Sequence, residues 1–217
     1  MGKIGKEICR VCGTKQTMED TFIWNTSEGL YPKFAMEKDA IRKLAEDVVE
    51  CPECGYTFIN LSEQTYITKK WVRESNYRIP FGENVSVTYE AVKCYRTAMV
   101  FERIGCRKMA AAWYLYAGIC VEDEKQREKC LRQTLVLLQK EVKEYSCDFE
   151  ICLAYLNVLR MLGVYESTIS IGTPYKVLFH GLERELVTAV LRLCDKKDKA
   201  YYTYFEMLLM KDEEEVS

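Results

Sequence analysis

Arg107-Lys108-Met109-Ala110-Ala111-Ala112-Trp113-Tyr114-Leu115-Tyr116-Ala117-Gly118-Ile119-Cys120-Val121 is apolar on nearly every face. A helix written this way is packed on both sides, because a surface helix keeps a polar face. Upstream, Val87 to Arg103 places Ala91, Tyr95, Ala98 and Met99 on one stripe and breaks at Gly105. Downstream, Gln126 to Val142 carries Leu131, Leu135, Leu138 and Val142 at helical spacing. Asp148 to Leu162 is again apolar on most faces. Amphipathic and buried helices therefore alternate, with a period of about 40 residues that predicts helix-turn-helix units in a short α-solenoid. A plain helical bundle is the alternative. After Gly172-Thr173-Pro174, the spacing of Leu182, Leu186, Ala189, Val190 and Leu193 predicts one more amphipathic helix. A last helix is expected near Lys199 to Met210, before a solvated tail, Lys211-Asp212-Glu213-Glu214-Glu215. The expected fold is mostly α, with six or seven helices beyond residue 86.

The N-terminal third reads differently. Cys9-Arg10-Val11-Cys12-Gly13 and Cys51-Pro52-Glu53-Cys54-Gly55 are two Cys-x-x-Cys-Gly segments, with 38 residues between Cys12 and Cys51. Two residues between thiols let one tight turn aim both sulfurs at one ion, and the following glycine supplies the positive φ such a turn requires. Two facing knuckles make a closed tetrahedral site suited to Zn²⁺. Cys9, Cys12, Cys51 and Cys54 are accordingly the expected ligands of one structural zinc ion per chain. Iron in the same ligand set, a redox Cys-x-x-Cys pair and unmetallated thiols are the alternatives. The spacer exceeds the roughly 15–20 residues of the compact pattern, so something is inserted. Within it, Lys38 to Glu50 reads as a short helix with Ile41, Leu44, Ala45 and Val48 on one face. Ser62-Glu63-Gln64 predicts a helix start, with the helix running to about Glu74; a strand with Tyr66, Thr68 and Lys70 alternating against Ile67, Lys69 and Trp71 is the less favoured alternative. Arg78-Ile79-Pro80-Phe81-Gly82-Glu83-Asn84 reads as a linker. This divides the chain into a zinc-ribbon module with helical insert, residues 1–80, and a helical domain, residues 84–217.

Composition narrows the classes. Of 217 residues, 48% are apolar and 29% charged, a balance that supports a packed core. No apolar run reaches membrane-spanning length, and no signal segment precedes the first knuckle. Eleven cysteines, an odd number, with seven of them scattered singly (Cys94, Cys106, Cys120, Cys130, Cys147, Cys152 and Cys194), point to a reducing cytoplasm rather than a disulfide scaffold. The single histidine, His180, excludes sites built on two imidazoles. Net charge is −2, and a split at residue 86 leaves one excess acidic residue on each side, so the bulk field does not favour nucleic acid.

Arg103-Ile104-Gly105-Cys106-Arg107 and Met161-Leu162-Gly163-Val164-Tyr165 both read as the turn inside a tetratricopeptide-type hairpin, which sets a second register beside the 40-residue one. With the double knuckle, Thr88-Tyr89-Glu90-Ala91 to Tyr95 and Ala111-Ala112-Trp113-Tyr114-Leu115-Tyr116, the chain resembles an uncharacterised bacterial and archaeal family. Its members join a double Cys-x-x-Cys zinc ribbon to tetratricopeptide-like helices. The resemblance spans roughly residues 9 to 120; it implies zinc and a repeat-like scaffold, and no reaction.

Three functions compete. The first is a non-enzymatic scaffold that binds a protein partner through its helical domain, since stacked hairpins present long surfaces. For Tyr114, Tyr116 and Tyr155, core filling is the favoured reading over anchoring a partner. The second is a nucleic-acid-binding ribbon. Lys3, Lys6, Arg10, Lys15, Lys69, Lys70, Arg73 and Arg78 surround the knuckles, with Tyr56, Phe58, Tyr66 and Trp71 interleaved. Glu7, Glu19, Glu53, Glu63 and Glu74 dilute that field. The third is an enzyme, for which His180 is a candidate base without a recognisable nucleophile; no catalytic residue is assigned.

Overall fold

A computed structural model describes residues 5–18, 33–63, 66–83, 85–145 and 148–210. Lys3, Glu19, Gln64, Asn84, Cys147 and the tail 211–217 lie outside the described residues, as do the side chains of Lys6 and Glu7. The architecture is mostly helical, with a small cysteine cluster near the N-terminus. No helix among the described residues is long and apolar enough to cross a membrane.

By packing, the chain divides into two compact units. One comprises residues 1–32 and 38–130, the other 33–37 and 131–217.

In the first unit, two short antiparallel hairpins carry the knuckles. Strand β1 (Gly5–Ile8) pairs with β2 (Lys15–Met18), and β3 (Val49–Glu50) with β4 (Thr57–Phe58). Between them lies helix α1 (Lys38–Glu46), shorter than the expected 38–50 because the chain extends into β3. Ile41 and Ala45 are its buried face. Two single-turn helices follow, α2 (Lys69–Val72) and α3 (Ser75–Arg78). The expected start at Ser62 is corrected here. Asn60 Oδ1 accepts from both the Ser62 amide and hydroxyl, which closes a turn, and Thr68 caps the helix instead by accepting from the Trp71 amide. Helices α4 (Tyr89–Arg103) and α5 (Arg107–Cys120) form a hairpin, and α1 packs against both. The all-round apolar segment behaves as its composition demands: Ala110 to Gly118 is buried without interruption. Tyr114 and Tyr116 are core residues, and Trp113 packs edge-on against Tyr116. Tyr155 is only partly buried.

Helix α6 (Glu124–Glu144) contains the dividing point, between Cys130 and Leu131. The second unit continues with α7 (Phe149–Met161), α8 (Tyr165–Leu178), α9 (Gly181–Asp195) and α10 (Tyr204–Leu209). The seven helices after residue 86 match the expected number among the described residues. Its core joins Leu153, Leu156, Phe179, Val187, Val190 and Met207. Fully buried Arg160 closes one end: its guanidinium donates to Asn157 Oδ1 and to the carbonyls of Asp198 (2.6 Å) and Ala200 (2.7 Å).

Helix α8, which the spacing did not single out, runs through Gly172-Thr173-Pro174. Gly172 is buried where α8 meets its neighbours, and a Cβ there would stand 2.7 Å from Leu191 Cδ2. The glycine permits close approach rather than a turn. Pro174 is tolerated on the exposed side of the helix.

The turns at Gly105 and Gly163 are built alike. In each, the glycine has positive φ (85° and 78°), and the next residue's amide reaches back to the carbonyl five positions earlier. The hairpins α4–α5 and α7–α8 thus share one turn, 58 residues apart, with α6 between them.

Candidate metal centre

Each knuckle is closed by its own backbone. Cys9 N donates to Thr14 O (2.9 Å) and Gly13 N to Cys9 O (2.8 Å). In the second, Cys51 N donates to Tyr56 O (2.8 Å) and Gly55 N to Cys51 O (2.8 Å). Gly13 and Gly55 have φ of 79° and 76°, so the two turns are near copies.

The four sulfurs converge. Cys9 Sγ lies 3.7 Å from Cys54 Sγ, and Cys12 Sγ 3.5 Å from Cys51 Sγ. All four lie within 4.8 Å of one another, with no histidine or carboxylate among them. A tetrahedron with metal–sulfur bonds of about 2.3 Å has edges of about 3.8 Å, so these separations suit one ion at the centre. Cys9 and Cys51 are buried and the other two half-buried. The four cysteines can hold a metal ion.

Without a cation, the cluster cannot carry four negative charges. Burial pushes the Cys9 and Cys54 thiols up. Burial also opposes ionisation of Cys12, but hydrogen bonds with Thr14, Cys51 and Cys54 outweigh it and bring that thiol down to about 6. The opposite directions at Cys12 and at Cys9 and Cys54 are those expected of like charges in contact.

Behind the second knuckle stands a polar frame that the sequence did not single out. Glu50, immediately before Cys51, accepts from Arg96 Nη1 (2.9 Å) and from Tyr89 Oη (2.8 Å). Arg96 also donates to the carbonyls of Tyr77 (3.2 Å) and Arg78 (2.8 Å). Buried Tyr77 Oη accepts from Thr57 N at 2.8 Å, and Lys93 Nζ donates to Glu46 O at 2.9 Å. Helix α4 is thereby fastened to the knuckle strands. A carboxylate beside a ligand cysteine was the one available signal; nothing in the sequence tied it to Arg96.

The other candidates are dispersed. His180 is exposed at the start of α9, with Nδ1 3.4 Å from Arg184 Nη2. Cys94, Cys120, Cys130, Cys152 and Cys194 are buried and Cys106 is exposed. Arg10, Lys15, Lys69, Lys70, Arg73 and Arg78 are exposed, as expected. Tyr56 and Phe58, however, are wholly buried and offer no stacking face; Trp71 is half-buried against Tyr77, and only Tyr66 is fully open. The interleaved aromatic platform is therefore not formed.

No protein-family model, curated protein or solved structure matches the chain.

Proposed function

We propose that the protein is a non-enzymatic scaffold, held by one structural zinc ion bound to Cys9, Cys12, Cys51 and Cys54, which binds a protein partner through its helical region. This reading keeps the division into a ribbon module (1–80) and a tetratricopeptide-like helical domain (84–217), and with it the resemblance to the ribbon-and-repeat family. It places the protein in the cytoplasm, where thiols stay reduced. Zinc is favoured because four thiolates around a tetrahedron leave no open position, as in structural zinc sites.

The observation that carries the partner reading is the exposure of large apolar side chains in the second unit. Val177, Leu178 and Leu182 are exposed where α8 passes into α9, and Phe205 and Leu209 lie one turn apart, exposed, on α10. Contiguous exposed apolar surface marks interaction sites more often than chance. The nucleic-acid alternative loses support with the burial of Tyr56 and Phe58.

The test compares the full chain with a Leu182→Glu, Phe205→Glu double variant as bait in lysate of the native cell, read by quantitative mass spectrometry and A260. A specific protein captured by the wild type and lost with the variant supports the reading. Nucleic acid in place of a protein, or identical capture by both baits, overturns it.

A further inference from the structure

A cleft of about 490 Å³ opens beside the second knuckle, within the first unit. That volume falls in the roughly 300–1,000 Å³ range of small-ligand sites. Pro52 and Gly55 line it with little side chain, beside Arg73 at the C-cap of α2, Arg78 of α3 and Arg96 of α4. The three guanidiniums are not equivalent. Arg96 is spent on Glu50 and two carbonyls and forms a fixed floor. Arg73 and Arg78 are exposed, and neither side chain has a hydrogen-bond or ion-pair partner among the described residues. Their backbones are nonetheless fixed. The Arg73 amide bonds back into α2, and the Arg78 carbonyl is held by Arg96. Of the two carboxylates at the cleft, Glu50 is already answered by Arg96 and Tyr89, which leaves Glu53 against two uncommitted cations.

We propose that this cleft binds a phosphate monoester dianion, gripped by Arg73 and Arg78. A carboxylate fills one guanidinium fork, whereas a phosphate offers three acceptor oxygens and nearly two charges, enough for both forks. Cys54 also lines the cleft, and a metal held by four thiolates carries net negative charge. Recognition therefore rests on short, directed hydrogen bonds rather than on long-range attraction. The inference is independent of the protein-partner reading and of which metal the cysteines hold.

The experiment titrates the full chain, as purified, with O-phospho-L-serine and with adenosine monophosphate, by calorimetry and by amide chemical shifts, with acetate as the monoanion control. The expected result is saturable binding of a phosphate ester at millimolar concentration or below. Arg73→Gln and Arg78→Gln each weaken it about tenfold or more, as loss of charged hydrogen bonds does. Lys69→Gln, whose side chain lies outside the cleft lining, leaves it unchanged. Tighter phosphoserine than nucleotide would name a phosphorylated side chain as the source, and the reverse a nucleotide; either upholds the site. Unchanged circular dichroism and metal content certify the variants, whose substituted side chains are exposed. Absence of saturable binding, equal binding by the Arg73→Gln, Arg78→Gln double variant, or acetate binding as well as phosphate overturns it.

Discussion

Replacing Glu50 by alanine should destabilise the whole first unit, not the second knuckle alone. The carboxylate receives two hydrogen bonds, from Arg96 at 2.9 Å and Tyr89 at 2.8 Å, and both donors sit on α4. Hydrogen bonds to a charged group contribute about 1.5–3 kcal/mol each. The side chains of Arg96 and Glu50 are 12% and 24% exposed, so solvent screens part of this. A loss of about 3 kcal/mol is therefore expected for Glu50→Ala, a large share of the 5–15 kcal/mol typical of a domain. Glu50→Gln keeps an acceptor for Arg96 and a polar partner for Tyr89, so it should cost only about 1 kcal/mol. Urea unfolding of metal-loaded protein, followed by tryptophan fluorescence, measures both; Trp71 and Trp113 both lie in this unit. A Glu50→Ala cost under about 1 kcal/mol, or one equal to that of Glu50→Gln, would refute the claim that this carboxylate fastens the knuckle to the helix.

Elemental analysis should find about one zinc per chain, and chelation should loosen α4 and α5 as well as the ribbon, because Glu50, Thr57 and Glu46 tie the knuckle side to Arg96, Tyr77 and Lys93. Hydrogen exchange confined to residues before 80 on chelation would contradict this. Arg160→Met should cost about 3–5 kcal/mol by thermal or urea unfolding, since it strands two carbonyls and Asn157 at a fully buried position. Alkali should weaken the first unit in a defined window. Burial raises Tyr77 to about 12. Its contribution is complete below the unfolded value near 10 and is lost as pH rises from about 10 to about 12. Phenolate absorbance rising with an ordinary midpoint while the fold persists would count against it.

Much of the helical part was legible because hydrophobic spacing is a direct image of burial. Arg107 to Val121 reads as doubly packed, and Ala110 to Gly118 are buried in full. Two places were less legible. At Gly172-Thr173-Pro174, residue types that end helices serve a tertiary contact instead, and only the closeness of Leu191 and Leu156 reveals it. At Ser62, a helix-capping residue is claimed by Asn60, two positions earlier, before any helix begins. Both are cases in which one residue type has two physical uses and the choice is made by neighbours. Arg160 was invisible for a related reason: an arginine in an apolar run reads as surface, and its partners at Asp198 and Ala200 lie about 40 positions away.

The four cysteines were legible for a reason that also explains the long spacer. Each knuckle closes on itself, through Cys9 with Thr14 and Cys51 with Tyr56, so the pairing of sulfurs within a turn needs nothing from the intervening chain. Only the meeting of two preformed hairpins depends on spacer length. Closing a loop costs about 0.6 kcal/mol more for each doubling of length. Thirty-eight residues in place of the usual compact spacer is about one doubling. Against that, α1 within the spacer buries Ile41, Ala45 and the following Val48 almost completely, and full burial of Ile or Val alone contributes about 1.5–3 kcal/mol each. Because α1 packs on α4 and α5, the insertion adds more binding between knuckles and helices than its length takes away. Ile41→Ala, which keeps the helix and all four cysteines, should therefore lower the stability of the first unit by about 2–5 kcal/mol in the same urea experiment. A change near zero there would mean that the insert is carried passively, and that the metal alone brings the two hairpins together.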